Sequence, residues 1–285
     1  MMKSVLITGG SGAFGTACCR RLLSMPDIKK IVIVSRGEYR QFVASKEIQD
    51  VNKEDRVRFL IGDVRDRARL RRAMEDVDTV IHAAALKRIE VGNYNPIEMV
   101  RTNVDGAINV IEAAQDAGVK KVVALSSDKA YQPVSPYGTS KALAESIFLA
   151  ANNTTGWNGP KFAACRYGNV WNSTGSVVPV WRAMIARGET VVPVTDPDCT
   201  RFFMRMDHAV DLVLSTVETM KGRELAIPEL PAYRIGDLAE AMGVEMFITG
   251  LPPWEKRHES MCLGNSSEDA RRMTVDELKK ELSNG

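Results

Sequence analysis

Glycines 9, 12 and 15 fall where an apolar run over residues 5–8 gives way to a helical pattern, in the string Thr8-Gly9-Gly10-Ser11-Gly12-Ala13-Phe14-Gly15. A strand that turns into a helix through glycines so spaced needs them for three things: a tight turn, close approach of an anion to backbone, and packing of helix on strand. The unpaired N–H groups at the helix start then attract a pyrophosphate. Such a turn opens a dinucleotide-binding βαβ unit, and the contacts expected from it are Thr8, Gly9, Ser11, Gly12, Ala13, Phe14 and Gly15.

The rest of the first two thirds keeps the same rhythm. Short β-branched runs over 5–8, 31–35, 57–61, 79–83, 121–126 and 162–167 alternate with amphipathic stretches, the pattern of a parallel sheet built from βαβ units. The longest stretch, 96–117, repeats Val100, Val104, Ile108 and Ile111 at helical spacing, and Gly118 suits its C-terminal cap. Beyond Tyr167 the chain fills with Gly, Asn, Ser and Pro. The fold class expected is therefore α/β: a Rossmann-type doubly wound parallel sheet over 1–168, carrying cofactor and catalytic groups, then a smaller substrate-binding lobe over 169–285. Some segments of that lobe return to the Rossmann core. Its helices are expected near 177–187, 207–220, 235–242 and 275–282, with strands near 190–192 and 247–249.

Charge narrows the function classes. With 38 basic and 36 acidic residues in 285 and no long single-sign run, the chain lacks the footprint of a nucleic-acid binder. No apolar run reaches the roughly 18 residues needed to cross a bilayer, and no secretory leader pattern opens the chain, so a cytoplasmic location is expected. Five cysteines without Cys-x-x-Cys spacing read as reduced thiols, and His82, His208 and His258 lack partners at metal-like spacing.

At the end of the second strand, where an acid would hold a ribose 2′-hydroxyl, stand Ser35 and Arg36. A hydroxyl and a guanidinium suit a 2′-phosphate, which favours NADP. The other reading leaves Arg36 on the surface and gives the ribose to Glu38. Asp63 and Val64 follow the third strand, where the adenine would lie. Ala83, Ala84 and Ala85 follow the fourth and are small enough to let the cofactor pass closely.

Tyr137 and Lys141 stand four apart at the start of a helix and share one face. The ammonium is expected to draw the phenol below its reference of about 10, toward use as a base. Ser127, at the end of the fifth strand, is placed to bond the same reacting hydroxyl.

With these residues, the chain resembles an extended short-chain dehydrogenase/reductase, and in particular the inverting UDP-N-acetylglucosamine 4,6-dehydratases. The likeness rests on the glycine turn and on Ala83-Ala84-Ala85-Leu86-Lys87, Tyr94-Asn95-Pro96, Thr102-Asn103, Leu125-Ser126-Ser127-Asp128-Lys129-Ala130 and Tyr137-Gly138-Thr139-Ser140-Lys141. It continues through Arg166-Tyr167-Gly168-Asn169-Val170, Gly175-Ser176-Val177-Val178-Pro179 and Thr200-Arg201-Phe202. The resemblance implies that Lys129 removes the C5 proton of the sugar and that Asp128 protonates the departing 6-hydroxyl. It places Lys87 and Asn103 among the cofactor contacts. Lys87, Asn169, Val178 and Arg201 would border the nucleotide sugar, with Trp181 nearby. A UDP-hexose partner and a homo-oligomer are expected on the same ground.

Plainer readings stand beside these: Asp128-Lys129 as a solvated loop pair, Val178 and Trp181 as core. Thr174 and Pro252 replace arginines that the family often carries, which removes two cations suited to a diphosphate. A UDP-sugar 4-epimerase, a 5,6-dehydratase and a catalytically idle NADP-binding scaffold share the fold and remain open.

Overall fold

In the computed structural model, which describes residues 2–284, the β-branched runs become strands that pair side by side. They are β1 (Ser4–Thr8), β2 (Lys30–Ser35), β3 (Val57–Ile61), β4 (Thr79–His82), β5 (Lys121–Leu125) and β6 (Lys161–Cys165). Seven later strands run four residues or fewer: β7 (Val191–Val194), β8 (Thr200–Phe202), β9 (Leu225–Ala226), β10 (Ala232–Arg234), β11 (Glu245–Ile248), β12 (Ser260–Cys262) and β13 (Asn265–Ser266). One seven-stranded sheet runs in the order β3-β2-β1-β4-β5-β6-β9, every neighbouring pair parallel. β1 pairs with both β2 and β4, so the crossovers diverge there and open a crevice at the C-terminal ends of the strands.

Between these strands lie α1 (Ala13–Leu23), α2 (Glu38–Glu47), α3 (Arg67–Ala73), α4 (Ile89–Tyr94), α5 (Pro96–Val100), α6 (Gly106–Asp116) and α7 (Pro136–Ala151). They are followed by α8 (Val177–Ala186), α9 (Met206–Thr219), α10 (Ile235–Met242) and α11 (Val275–Ser283). Alternate strand residues feed two cores. Val5, Ile7, Ile31 and Ile33 meet α1 and α9, whereas Leu6, Val32 and Val34 belong to the layer of α6 and α7 with Val110 and Phe148. A separate core, with Val178, Trp181, Val192, Tyr233 and Leu238, holds the lobe.

Three findings refine the expected layout. The stretch expected as one helix over 96–117 is helical throughout but contains a π turn, Arg101–Asp105, between α5 and α6. Val210, Val213 and Val217 of α9 pack on the sheet and β9 extends it, so the chain beyond 168 re-enters the Rossmann core. β8, β9, β10, β12 and β13 had no counterpart in the sequence pattern. Two or three residues are too few to carry a period.

One buried ion pair ties the halves together. Arg166, just past β6, donates to both Glu145 oxygens, with Nε at 3.0 Å from Oε2, and also to the Met261 carbonyl of β12. Among the described residues no helix is long and apolar enough to cross a membrane.

Candidate active site

The glycine turn forms as its spacing requires. Gly9 takes φ +67°, and a Cβ there would lie 2.8 Å from the Ala84 Cα. A Cβ on Gly15 would meet the Gly10 Cα at 2.4 Å, so helix and turn touch backbone to backbone. Gly12 caps α1 without a side-chain bond, and the first turn of α1 carries no acid. Its N–H groups face an exposed edge at Gly12 and Ala13. That cradle fits the pyrophosphate of a dinucleotide.

Around the cradle several of the expected contacts are bonded within the protein. Thr8 is fully buried, and its Oγ1 lies 2.7 Å from His82 Nδ1. Burial holds His82 at about 3, so the imidazole is neutral. Asn103 spends both ends of its amide inside the protein: Oδ1 accepts from Leu86 N at 2.8 Å, and Nδ2 donates to Leu86 O and Ser140 Oγ, each at 3.0 Å. It pins the loop after β4 against α7. Val64 is buried beneath Gly106, where a Cβ would come within 2.7 Å of its Cγ2. Asp63 is held below the ordinary carboxylate range, because Arg65 bonds outweigh the effect of its burial. At the ribose end Ser35 Oγ accepts from Ser11 Oγ at 2.8 Å and from Gln41 Nε2 at 3.0 Å, and Arg36 is exposed just beyond. Ala83, Ala84 and Ala85 are half-buried along the crevice, and Lys87 is exposed at its mouth.

The reacting groups converge at the ends of β5 and β6. Ser127 caps a three-residue 3-10 turn, Asp128–Ala130, and its Oγ donates to Asp128 Oδ1 at 2.9 Å. Ser135 caps α7 through Gly138 N at 3.1 Å, so Tyr137 projects from the first turn. A Cβ on Gly138 would lie 2.4 Å from the Lys129 carbonyl, and this close packing brings the turn and the helix start together.

The expected effect of Lys141 on Tyr137 is not what the structure contains. Lys141 Nζ donates to the Leu125 carbonyl at 2.5 Å, and burial brings the amine down to about 8. The Tyr137 phenol is pushed up from its ordinary value, because burial outweighs a Ser127 hydrogen bond and the charge of Lys129. Desolvation, not the partner four residues on, governs this tyrosine.

Asp128 and Lys129 are not a solvated pair. Asp128 is 0% exposed, its Oδ2 has no hydrogen-bond partner, and burial raises its carboxyl above the usual range. Lys129 Nζ lies 3.2 Å from Asp128 Oδ1, 3.2 Å from Asn169 Oδ1 and 3.3 Å from Glu259 Oε1. Burial works against this ammonium, yet Asp128 and Glu259 hold it well above the ordinary lysine value.

Glu259 was absent from the residues expected at the site. It is 2% exposed; burial would raise it, but Lys129, Arg201 and Lys256 hold it at about 2. The available signal was Lys256, three residues upstream, whose Nζ pairs with Glu259 Oε2 at 3.1 Å. Two expected substrate contacts are engaged within the protein. Val178 is 1% exposed in the lobe core beside Trp181, the packing role expected of a buried apolar side chain. Arg201 turns inward to the Thr200 and Arg257 carbonyls, at 2.8 and 3.0 Å, and to Glu255.

Fold and site together define an extended short-chain dehydrogenase/reductase. More narrowly, the chain belongs to the polysaccharide biosynthesis protein family, which matches residues 5–278. It is 45% identical over 267 residues to a UDP-N-acetylglucosamine 4,6-dehydratase (inverting) of Campylobacter jejuni subsp. jejuni serotype O:23/36 (strain 81-176), covering 93% of this chain and 79% of that one. It is 38% identical over 277 residues to a UDP-glucose 4-epimerase of Rickettsia akari (strain Hartford), covering 94% and 79%. The solved dTDP-glucose 4,6-dehydratase DesIV of Streptomyces venezuelae, determined with NAD bound, shares the fold: TM-score 0.82, 20% identity, 98% of this chain and 96% of that one.

Proposed function

We propose that this protein is a nucleotide-sugar 4,6-dehydratase that acts on UDP-N-acetylglucosamine and inverts C5. The observation that carries the reading is the buried Asp128–Lys129 pair, with a free carboxylate oxygen, set beside Tyr137. The 45% identity to an inverting dehydratase supports it.

A nicotinamide dinucleotide in the glycine cradle would supply transient oxidation at C4 and reduction at C6. The chain's own groups handle the protons. Tyr137, in its phenolate form, takes the proton of the sugar 4-hydroxyl as hydride leaves C4 and becomes the neutral phenol, with Ser127 bonded to the same sugar oxygen. The resulting ketone acidifies the C5 hydrogen, which Lys129 removes, and Asp128 protonates the 6-hydroxyl as it leaves. Lys129 must be neutral and Asp128 protonated to begin. Transfer of one proton across the 3.2 Å between Nζ and Oδ1 produces both forms at once, and burial of Asp128 lowers its cost. A 4-epimerase needs Tyr137 and Lys141 but leaves Asp128 and Lys129 without work. Incubation with UDP-N-acetylglucosamine, followed by mass spectrometry and NMR, is expected to give a 4-keto-6-deoxy product one water lighter, with no build-up of reduced nicotinamide. A 4-epimer of unchanged mass would replace this reading by the epimerase.

NADP is proposed over NAD on the strength of Ser35 and the exposed Arg36. Calorimetric titration is expected to give tighter binding of NADP⁺, and Arg36→Ala should weaken NADP⁺ selectively by about tenfold, as loss of one charge-assisted contact would. Equal affinities for the two cofactors in the wild type would refute the assignment.

A further inference from the structure

We infer that Glu259 is a positioning residue for the reaction: its carboxylate fixes the Lys129 amine in place and makes it a stronger base toward C5. The inference rests on the dehydratase reading of the site.

An ammonium has three N–H groups to give. Lys129 meets three separate parts of the chain: its Nζ bonds to Asp128 Oδ1 on the turn after β5 and to Asn169 Oδ1 after β6, and it forms an ion pair with Glu259 Oε1 before β12 at 3.3 Å. The three partners are unlike in one respect. Asn169 carries no charge, and Asp128 gains and loses a proton as the acid of the elimination. Glu259 alone stays an anion throughout. When Lys129 takes the C5 proton, a positive charge appears on Nζ in a largely desolvated site, and Glu259 is the fixed negative charge 3.3 Å away that offsets it.

Its geometry is preset rather than recruited. Lys256 Nζ sits 3.1 Å from Oε2, and the Glu259 backbone N donates to Ser267 Oγ at 2.9 Å. The other charged and titratable groups acting on Lys129 are Arg201, which opposes its charge, and Tyr137, whose ionised form would favour it. Neither supplies a standing anion, since Arg201 is a cation and Tyr137, having taken the 4-hydroxyl proton, is neutral when Lys129 acts, a form that burial favours.

Glu259→Gln keeps the shape and removes the charge. The rate of product formation from UDP-N-acetylglucosamine, and of C5 deuterium uptake in D₂O, would be followed across the pH range for wild type, Glu259→Gln and Glu259→Asp. For the glutamine variant the acid limb is expected to move to lower pH by about one unit, because the Asp128–Lys129 pair takes up a second proton less readily without the anion. The plateau above that limb should fall by about tenfold, because a weaker base abstracts more slowly. KM should change little. Glu259→Asp keeps the charge, so it should retain the wild-type limb at a reduced rate, and it remains informative where the glutamine variant fails to fold. Opposite movements of limb and plateau are the signature, since a merely structural loss lowers the rate equally at every pH. An unshifted limb beside an active wild type overturns the inference alone, as does an aspartate variant whose limb moves. No dehydration by wild type overturns the dehydratase reading and this inference with it.

Discussion

Replacing Lys129 by alanine is expected to end water elimination from UDP-N-acetylglucosamine while the nicotinamide dinucleotide still binds with near wild-type affinity. The side chain reaches Asp128, Asn169 and Glu259, and none of the glycine cradle. Its loss removes the C5 base, so deuterium from D₂O, which wild type should place at C5, should no longer enter the sugar. Asp128→Asn should slow departure of the 6-hydroxyl by roughly 10²–10⁴, the usual contribution of a positioned acid. The asparagine retains the bond from Ser127 but has no proton of suitable acidity to give. Tyr137→Phe should stop the sequence one step earlier, before any C5 exchange. Full activity in both Lys129→Ala and Asp128→Asn would leave the buried pair without a chemical task and return the site to the epimerase reading.

Glu145→Ala is expected to be the most damaging single change for stability. Arg166 is 8% exposed and gives Nε and a terminal nitrogen to Glu145, so truncation strands a guanidinium in the core. Removing one partner of a buried pair costs about 3–5 kcal/mol. For a chain of this size that corresponds to a melting temperature lower by about 10 °C. Thermal melting would show it, and a drop under about 2 °C would mean that water reaches Arg166 and takes over the role of the carboxylate. A kinetic effect should accompany the structural one. The Glu145 carboxylate pushes Lys141 upward against its burial, so without it the amine should fall below about 8 and be less charged at neutral pH.

How much of this was written legibly in the chain depends on the length of each element and on where its partners come from. β1 to β6 could be placed to within two residues because all but the edge strand β3 are apolar runs largely buried on both faces, which leaves a continuous signal. The glycine turn was legible because only glycine fits at 9 and 15. Ser127, Tyr137 and Lys141 could be grouped because they sit close together in sequence, and Asp128 and Lys129 came with the family resemblance. Glu259 was not found, since it arrives from more than a hundred residues away and its neighbours drew notice for lost cations rather than for a gained acid. The direction of the Tyr137 shift was misread for a related reason. Spacing reveals a neighbour four residues on, whereas burial is a sum over the whole fold. Val178 shows the converse, a residue whose motif is visible but whose side chain packs inside the lobe.

The π turn at Arg101–Asp105 has a consequence for how the chain tolerates changes in its own length. Such a turn is a helix with one residue more than its ordinary ladder of bonds requires. Excision of that residue would let 96–116 close into a plain α-helix whose two flanks keep their facing, because the surplus residue is taken up within one widened turn, and only the side chains of that turn would be redirected. Asn103 would then swing away from Leu86 and Ser140, while Val110 and Ile111 kept their seats under the sheet. A one-residue deletion here would therefore spare the fold and unfasten the loop over the crevice, whereas the same deletion within α6 would do the reverse. Packing alone could dispense with the surplus residue; a helix that must also hold Leu86 in place could not.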